Sequence, residues 1–333
     1  MSSTTEPQTF LELQNDFISR MRASGSTVNT EIAKRLLNTA LVNCHLNPGH
    51  KFPWAERRGV IITHAPYTTG TVSITTATSR TAVTGSGTAW TTNPENYGNN
   101  VRAGGKIKFA GSNDHYVVDS VGSGTALTLA SSYVGDDLSG ATYTYFEDEY
   151  ALAADFLRMV DMRNFSTDLH IPLIGRTDFR RMFPRNDIRQ RPKVATLIQI
   201  DFSASTAPQY RVVFNPTPAD VYQIPYWYVT KSLAVDTSGV RQERMVENTD
   251  EPIIPKGKRH MLTLYAMYEY YRDYKDDARA MAALGEYEKI MGRISGELND
   301  SDSKPRFFVR GRRIRDRHQR FDYGNRFDQL DDR

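Results

Sequence analysis

Hydrophobic residues recur at spacings of three and four near both ends of the chain, and this periodicity predicts amphipathic helices. A Gly/Ser turn at 24–26 separates two such stretches near the N-terminus. Two further stripes flank Asp276 and Asp277, and Asp277 is predicted to cap the second of these helices. Pro252 and Pro255 mark the start of this C-terminal pair. The predicted inward-facing residues are Phe10, Leu13, Phe17, Ile18, Met21, Ile32, Leu36, Leu37, Ala40, Leu41, Met261, Leu264, Tyr265, Tyr268, Tyr271, Met281, Leu284, Tyr287, Met291, Ile294 and Leu298.

Between residues 66 and 146 the pattern changes to short β-type stretches separated by glycine-containing turns. Thr, Ser, Gly and Val dominate there, and helix formers are scarce. Strands at such spacing predict a small antiparallel barrel or sandwich, and its place between helical regions predicts an inserted domain. The predicted strands are Thr71–Ile74, Thr81–Val83, Lys106–Phe109, Tyr116–Val118, Ala126–Leu129 and Ala141–Tyr145.

The second half of the chain combines strand-like stretches with the C-terminal helices. A helical turn is predicted from Tyr150 to Leu157. The predicted strands are Ile171–Ile174, Ala195–Ile200, Tyr210–Phe214 and Tyr222–Val229.

These patterns together predict an α+β fold. A bundle of N- and C-terminal helices with a small β-sheet would carry an inserted all-β barrel or sandwich domain and an extended C-terminal tail. The predicted divisions are an N-terminal helical hairpin (1–65), the β-insert (66–146), a sheet with the closing helical pair (147–300) and the tail (301–333).

Composition is consistent with a globular, non-membrane protein of 333 residues, long enough for two domains with cores of their own. Hydrophobic residues make up 39% and charged residues 24%. No stretch approaches the about 20 apolar residues of a membrane span, and the polar N-terminus does not resemble a signal peptide. Cys44 is the only cysteine, which excludes an intrachain disulfide and fits assembly in a reducing cytoplasm.

Charge is concentrated in the C-terminal tail. The net charge of the whole chain is only +3, yet Lys304–Arg320 carries eight Lys/Arg against one Asp, a local charge of +7. Few aliphatic residues follow Ser301, so the tail is predicted to be disordered until a partner orders it. Guanidinium and aromatic groups suit an acidic protein surface or phosphates. The candidate docking residues are Arg306, Phe307, Phe308, Arg310, Arg312, Arg313, Arg315, Arg317, Arg320, Phe321, Tyr323 and Phe327.

The sequence carries no enzyme signature. None of the seven histidines pairs at the i, i+4 spacing of a helical zinc site. Cys44 and His45 are adjacent, but no orienting acid is evident, and a packed cysteine is the simpler interpretation. The Gly-Ser-Gly stretches at 85–87 and 122–124 lack the Gly-Lys-Ser/Thr ending of a phosphate-binding loop and are predicted to be hairpin turns. We therefore expect no catalytic, cofactor or metal site.

Four stretches, in order, resemble the head-to-tail adaptors of short-tailed bacteriophages, also called connector or tail tubular proteins. Ala151–Arg158 resembles their Leu-Pro-x-Asp-Phe-Leu-Arg stretch, with Ala153 in place of the proline. Phe214–Pro218, then Ile224–Tyr228 and Leu233, resemble their strand–turn–strand, and Glu247–Pro255 resembles the acidic link into their tandem helices. Ala266–Gly292 resembles the helical hairpin that closes their fold.

This resemblance implies a non-enzymatic virion protein of the neck, assembled in the host cytoplasm. Such adaptors form a twelve-fold ring beneath the portal, dock through the C-terminal tail and provide a platform for the downstream tail or nozzle protein. Genomic DNA would pass through the ring without sequence-specific binding, and the β-insert would be available to a fibre or capsid protein. Tyrosine is enriched at protein interfaces, and the candidate ring-interface residues are Tyr265, Tyr268, Tyr271, Tyr274 and Tyr287.

Two other functions remain open from the sequence. One is a nucleic-acid-binding module that grips DNA with the Arg-rich tail, for which binding should fall steeply with salt. The other is a glycan-binding or adhesive protein in which Trp90 and Tyr133 of the β-insert serve as platforms. Glycan binding by residues 66–146 alone would favour this last interpretation.

Overall fold

The computed structural model describes residues 8–21, 27–46, 52–91, 98–164, 169–184, 188–200 and 209–299, so the predicted tail lies outside it. Over these ranges the chain is an α+β protein with long helices at both ends and β-sheets between them. The helices are α1 (Phe10–Arg20), α2 (Thr27–Leu46), α3 (Arg176–Met182), α4 (His260–Asp273) and α5 (Asp277–Asn299).

Strands fill most of the sequence between α2 and α4. The strands are β1 (Glu56–Ile62), β2 (Thr71–Ile74), β3 (Ala82–Ser86), β4 (Lys106–Phe109), β5 (His115–Ser123), β6 (Ala126–Leu129), β7 (Leu138–Ala141), β8 (Tyr143–Phe146), β9 (Glu149–Ala151), β10 (Phe156–Asn164), β11 (Leu169–His170), β12 (Arg189–Gln190), β13 (Val194–Ile200), β14 (Gln209–Asn215), β15 (Thr217–Pro218), β16 (Gln223–Thr230), β17 (Ala234–Val235), β18 (Arg241–Gln242) and β19 (Glu251–Pro252).

In the described ranges these strands form five sheets. The largest, which we call the curled sheet, has the order β7-β2-β3-β6-β5-β4-β8 and is antiparallel throughout. A four-stranded sheet has the order β1-β16-β10-β11, and two three-stranded sheets have the orders β13-β14-β9 and β18-β17-β19. The short strands β12 and β15 pair in parallel.

The four long helices α1, α2, α4 and α5, which we call the helical layer, share one hydrophobic cluster. Their predicted apolar stripes are largely confirmed, because residues such as Leu13, Leu37, Met261 and Met291 are buried in it. Met281 is an exception, since it is 63% exposed. The side chain of Leu298 lies outside the described part of the chain.

Two separate C-terminal helices are confirmed, but the predicted cap is one residue off. The side chain of Asp276, not Asp277, accepts a 3.2 Å hydrogen bond from the backbone N–H of Arg279. Lys275, just before it, adopts a left-handed conformation with φ of 58°, which turns the chain between the helices. Asp277 is therefore the first residue of α5 and remains exposed to solvent.

The curled sheet encloses a hydrophobic cluster of its own, as a β-insert requires. The indole N–H of Trp90 donates a 2.8 Å hydrogen bond to the hydroxyl of Tyr143 in its centre. Trp90 is fully buried and Tyr133 is only 5% exposed, so the prediction that they form a glycan platform is wrong. A sheet this small needs its largest aromatic side chains to fill its interior. The stretch predicted as one strand at 141–145 is the end of β7 and the start of β8, at opposite edges of the sheet.

Three local predictions fail where distant pairing overrides the local pattern. The stretch from Tyr150 to Leu157 is not helical: it contains part of β9, a turn and the start of β10. Within the predicted strand Ile171–Ile174, Leu173 forms only an isolated bridge to Ala195. Within the predicted N-terminal helical division, β1 is a strand paired with β16.

Candidate assembly surfaces

A buried polar cluster ties the first helix to the link that precedes α4. Asp250 is 1% exposed, and its carboxylate accepts backbone hydrogen bonds from Val246 at 2.6 Å and Glu247 at 2.8 Å, and one from the side chain of Gln242. Its own carbonyl accepts the N–H of Phe10 at 2.8 Å. Because the first N–H groups of a helix lack intrahelical partners, this bond also completes the start of α1.

Arg259 extends this cluster to the residues on both sides. Its guanidinium donates to the carbonyls of Ile254 at 2.9 Å and Pro252 at 3.2 Å, donates to the carbonyl of Gln8, and lies 2.9 Å from the carboxylate of Glu251. The side chain of Arg259 is only 6% exposed. We call Asp250 and Arg259 with these partners the clamp. It joins the start of the described chain to the link that precedes α4.

Two of the five candidate interface tyrosines lie at the inner side of the helical layer. Tyr287 is 6% exposed and contacts Tyr265 with ring centroids 5.1 Å apart. Burial raises the pKa of the Tyr287 hydroxyl and raises that of the Cys44 thiol beside it to about 12. Asn43 donates to the Tyr265 hydroxyl at 3.3 Å. Tyr287 is thus part of the core of its own chain, and we do not retain it as an interface residue.

The other three tyrosines are more accessible and are arranged with arginines. Arg272 stacks over Tyr268 with 5.5 Å between the guanidinium carbon and the ring centroid, and Arg279 over Tyr271 with 5.8 Å. Tyr274 ends α4 and is 64% exposed. Aromatic and arginine side chains are the groups that most often anchor protein interfaces. This surface therefore carries side-chain types that are typical of protein interfaces.

Charged side chains connect the curled sheet to the rest of the chain. Lys106 of β4 donates to Asp148 at 2.7 Å and to Glu149 at 3.0 Å, while Arg102 donates to Glu147 at 2.7 Å. Burial alone would lower the pKa of Lys106, but the two carboxylates outweigh it and raise the pKa. Asp148 is only 2% exposed. We call these five residues the ionic junction.

A cleft of about 300 Å³ opens beside the ionic junction, lined in part by His64, Arg102, Tyr150 and Arg211. Burial, and then the charge of Arg102, lowers the pKa of His64, so its ring is neutral at pH 7. Over the ranges that the structure describes, no group of three His, Cys, Asp or Glu residues could hold a metal ion.

Asp155, in the stretch that resembles the adaptor motif, has a structural role. Its carboxylate accepts 2.7 Å hydrogen bonds from the hydroxyls of Tyr228 and Thr230, and Arg57 lies 3.8 Å away. Partial burial would raise the pKa of this carboxyl, but these partners outweigh burial and hold the pKa below its usual range. Asp155 therefore fixes the start of β10 against β16.

Replacing Asp155 with Asn should lower the free energy of unfolding by about 1–2 kcal/mol at pH 7, because hydrogen bonds to a charged acceptor are lost. A carboxyl whose folded pKa lies below its unfolded pKa stabilises the fold above the unfolded pKa, and this contribution disappears as pH falls through the folded pKa. The difference between wild type and Asp155→Asn should therefore shrink below about pH 4. Urea unfolding at several pH values measures it, with Asp161→Asn, on the same strand, as the control.

Only some of the predicted site residues lie in the part of the chain that the structure describes. The twelve predicted docking residues of the tail lie beyond the described ranges. Sequence reasoning placed Asp250 in the acidic link but gave no role to Arg259 or Lys106, since the local sequence around a charged residue does not reveal a distant partner. An alternating pattern such as Lys106-Ile-Lys-Phe109 showed only that both lysines share one face of a strand.

Over the described ranges, the clamp and the ionic junction hold parts of the chain together, and the tyrosine–arginine surface is exposed at the end of α4. A sequence model of the SU10 adaptor protein family matches residues 137–313, just over half of the chain. The chain belongs to this family, and it is a structural head–tail adaptor protein of a bacteriophage virion. No curated protein matches the sequence. None of the helices described here is long and apolar enough to cross a lipid bilayer.

Proposed function

We propose that this adaptor forms a homo-oligomeric ring beneath the portal, in the neck of the virion, with the helical layer as the wall of the ring. The observation that carries the proposal is the exposed tyrosine–arginine surface at the end of α4, on a layer that the clamp holds as one unit. A ring of twelve copies would match the adaptors that the sequence resembles. The packaged DNA would pass through its centre.

The C-terminal tail is proposed as the element that docks to the portal, since it continues directly from the end of α5. Ordering its backbone costs roughly 1–2 kcal/mol per residue, and exposed ion pairs return at most about 1 kcal/mol each. Aromatic residues such as Phe307 and Phe308 must then be buried as anchors, at roughly 1.5–3 kcal/mol each. Only part of the tail would become ordered, with the arginines governing orientation and the rate of encounter.

Truncation after Asp300 should leave a folded protein that no longer joins the portal. The helical layer should keep its core, because among the described residues its hydrophobic cluster ends at Ile294, before the point of truncation. Electron microscopy of portals from the same phage, mixed with full-length or truncated protein, tests this directly, and circular dichroism checks the fold. Portals decorated normally by the truncated protein would show that the tail is not the docking element.

A matched pair of tail variants separates anchoring from charge. Phe307→Ala with Phe308→Ala should weaken portal binding more than Arg312→Ala with Arg313→Ala, since buried aromatic area contributes more than exposed charge. Binding at two salt concentrations adds a second comparison. A larger loss for the arginine pair, combined with a steep salt dependence, would instead favour attachment by charge alone.

A further inference from the structure

A basic face on the sheet side of the molecule has no role in the fold described so far. Between residues 176 and 193 the sequence carries seven Arg/Lys and two Asp, a net charge of +5. Arg176, Arg180, Arg181 and Lys193 are exposed, and no ion pair holds them within the part of the chain that the structure describes. Met182 beside them is 63% exposed. We call these five side chains the basic face.

A rigid framework holds the basic face. Phe179 of α3 is buried and packs edge-to-face on Phe183, with ring centroids 5.5 Å apart. The segment before α3 is tied to β13, because Ile174 donates to the carbonyl of Ala195 at 2.9 Å and Thr196 donates to the carbonyl of Ile174 at 2.9 Å. The cations are therefore presented by a fixed surface, as a specific contact requires.

An acidic and partly apolar surface lies on the other layer, at the α4–α5 corner. Residues 273 to 288 carry five Asp/Glu and two Lys/Arg, a net charge of −3. Asp273 and Asp277 are exposed, as are Tyr274 at 64% and Met281 at 63%. Asp277, Met281 and Glu288 project from one flank of α5, since each residue of a helix advances about 100° around the axis. We call these five side chains the acidic corner.

The two faces carry opposite charges and both expose apolar side chains, but they do not pair with each other within the described part of one chain. The basic face is carried by α3 and by Lys193, just before β13, whereas the acidic corner belongs to the helical layer with its separate core. No ion pair joins them over the described ranges. A heterologous contact between identical chains needs two such different and complementary faces. Exposed methionines and a tyrosine among the charges favour a protein partner over nucleic acid, because Met, Tyr and Arg are enriched at protein interfaces.

We propose that the basic face of one copy binds the acidic corner of the next copy in the ring. This inference rests on the proposed ring and names the two surfaces that meet in it. It extends the role of Tyr274 and assigns one to α3. Each copy uses one face toward each neighbour, so the contact propagates around the ring.

Cysteine cross-linking on assembled rings tests the contact. Cys44, the only native cysteine, is fully buried, so introduced cysteines are the reactive ones. A chain with both Arg181→Cys and Asp277→Cys, bound to portals and treated with a short bis-maleimide, should give a ladder of covalent multimers. Mixing the two single variants should give no species larger than a dimer. As the matched control, Lys108→Cys on the curled sheet combined with Asp277→Cys should give no ladder.

Charge reversal gives an independent readout. Arg180→Glu with Arg181→Glu should fail to form rings on portals, and Asp273→Lys with Asp277→Lys should fail as well. A 1:1 mixture of the two variants should form rings, because every contact then pairs opposite charges again. All four positions are exposed, so the melting temperatures should stay near that of the wild type.

The results of these experiments distinguish the proposed contact between copies from the proposed ring. Rings on portals without the cross-linked ladder overturn the contact and leave the ring intact, whereas wild-type protein that never decorates portals overturns the ring itself. Ring formation by either charge-reversed variant alone also overturns the contact. If the Arg180→Glu, Arg181→Glu variant forms rings but loses salt-sensitive binding to a duplex DNA fragment, the basic face belongs to nucleic acid instead.

Discussion

Replacing Arg259 with methionine should lower the free energy of unfolding by about 2–4 kcal/mol, because three backbone carbonyls lose the buried guanidinium that donates to them. Methionine fills a similar volume, so the loss reports on the polar contacts and not on packing. The carbonyls of Gln8, Pro252 and Ile254 would be left without the guanidinium that serves all three. Urea unfolding followed by circular dichroism measures the change.

Two controls identify the cause of that loss. Arg259→Lys keeps the charge but cannot donate in three directions from a planar group, so it should recover only a minor part of the loss. Lys258→Met removes an exposed pair with Glu297, whose side chain is 63% exposed, and should change stability by less than about 1 kcal/mol. Equal losses in the free energy of unfolding for Arg259→Met and Lys258→Met would show that the clamp does not stabilise the fold.

Lys106→Met should destabilise the protein by about 3–5 kcal/mol at neutral pH, because breaking a buried ion pair by removal of one partner is strongly destabilising. Asp148, at 2% exposure, would then lie beside Glu149 without the ammonium that neutralises both. Because protonation of a carboxylate removes the charge that the ammonium balanced, the penalty should decrease as the pH is lowered.

The same strand provides a control for Lys106. Lys108 lies on the same face of β4, two residues along, and no ion pair involves it in the described ranges. Lys108→Met should change stability by less than about 1 kcal/mol at any pH, the usual range for a surface position. Thermal unfolding from pH 4 to pH 8 compares the two variants. A pH-independent loss in Lys106→Met would point to packing of the lysine stem as the cause.

The sequence predicted the elements that depend on local periodicity. The N-terminal helices, the C-terminal pair and most strands of the curled sheet follow from apolar spacing. The secondary-structure predictions fail where a residue distant in the sequence determines the local structure. Asp155 reaches across to Tyr228 and Thr230, which turns an alanine-rich stretch into a strand. The interior of the curled sheet takes up Trp90, which spacing alone could not distinguish from an exposed platform.

The candidate surfaces were harder to predict than the fold. Interface tyrosines were chosen because tyrosine favours interfaces, yet Tyr287 packs into the core of its own chain. The arginines of α3 were overlooked because the tail carries a denser charge. Local charge density shows that cations are close together, but only the tertiary structure shows which carboxylates could pair with them. In the clamp, Gln8 and Arg259 are 251 positions apart, and no local pattern connects them.

The helical layer also has a consequence for the order of events during synthesis on the ribosome. Helices α1 and α2 emerge early, but the partners of their apolar faces, α4 and α5, are among the last described residues to be translated. Two short amphipathic helices are marginally stable alone, so the early chain exposes this apolar surface until residue 294 has left the exit tunnel. A prematurely terminated product therefore lacks the finished helical layer. A copy that ends before α5 would therefore lack part of the wall of the proposed ring.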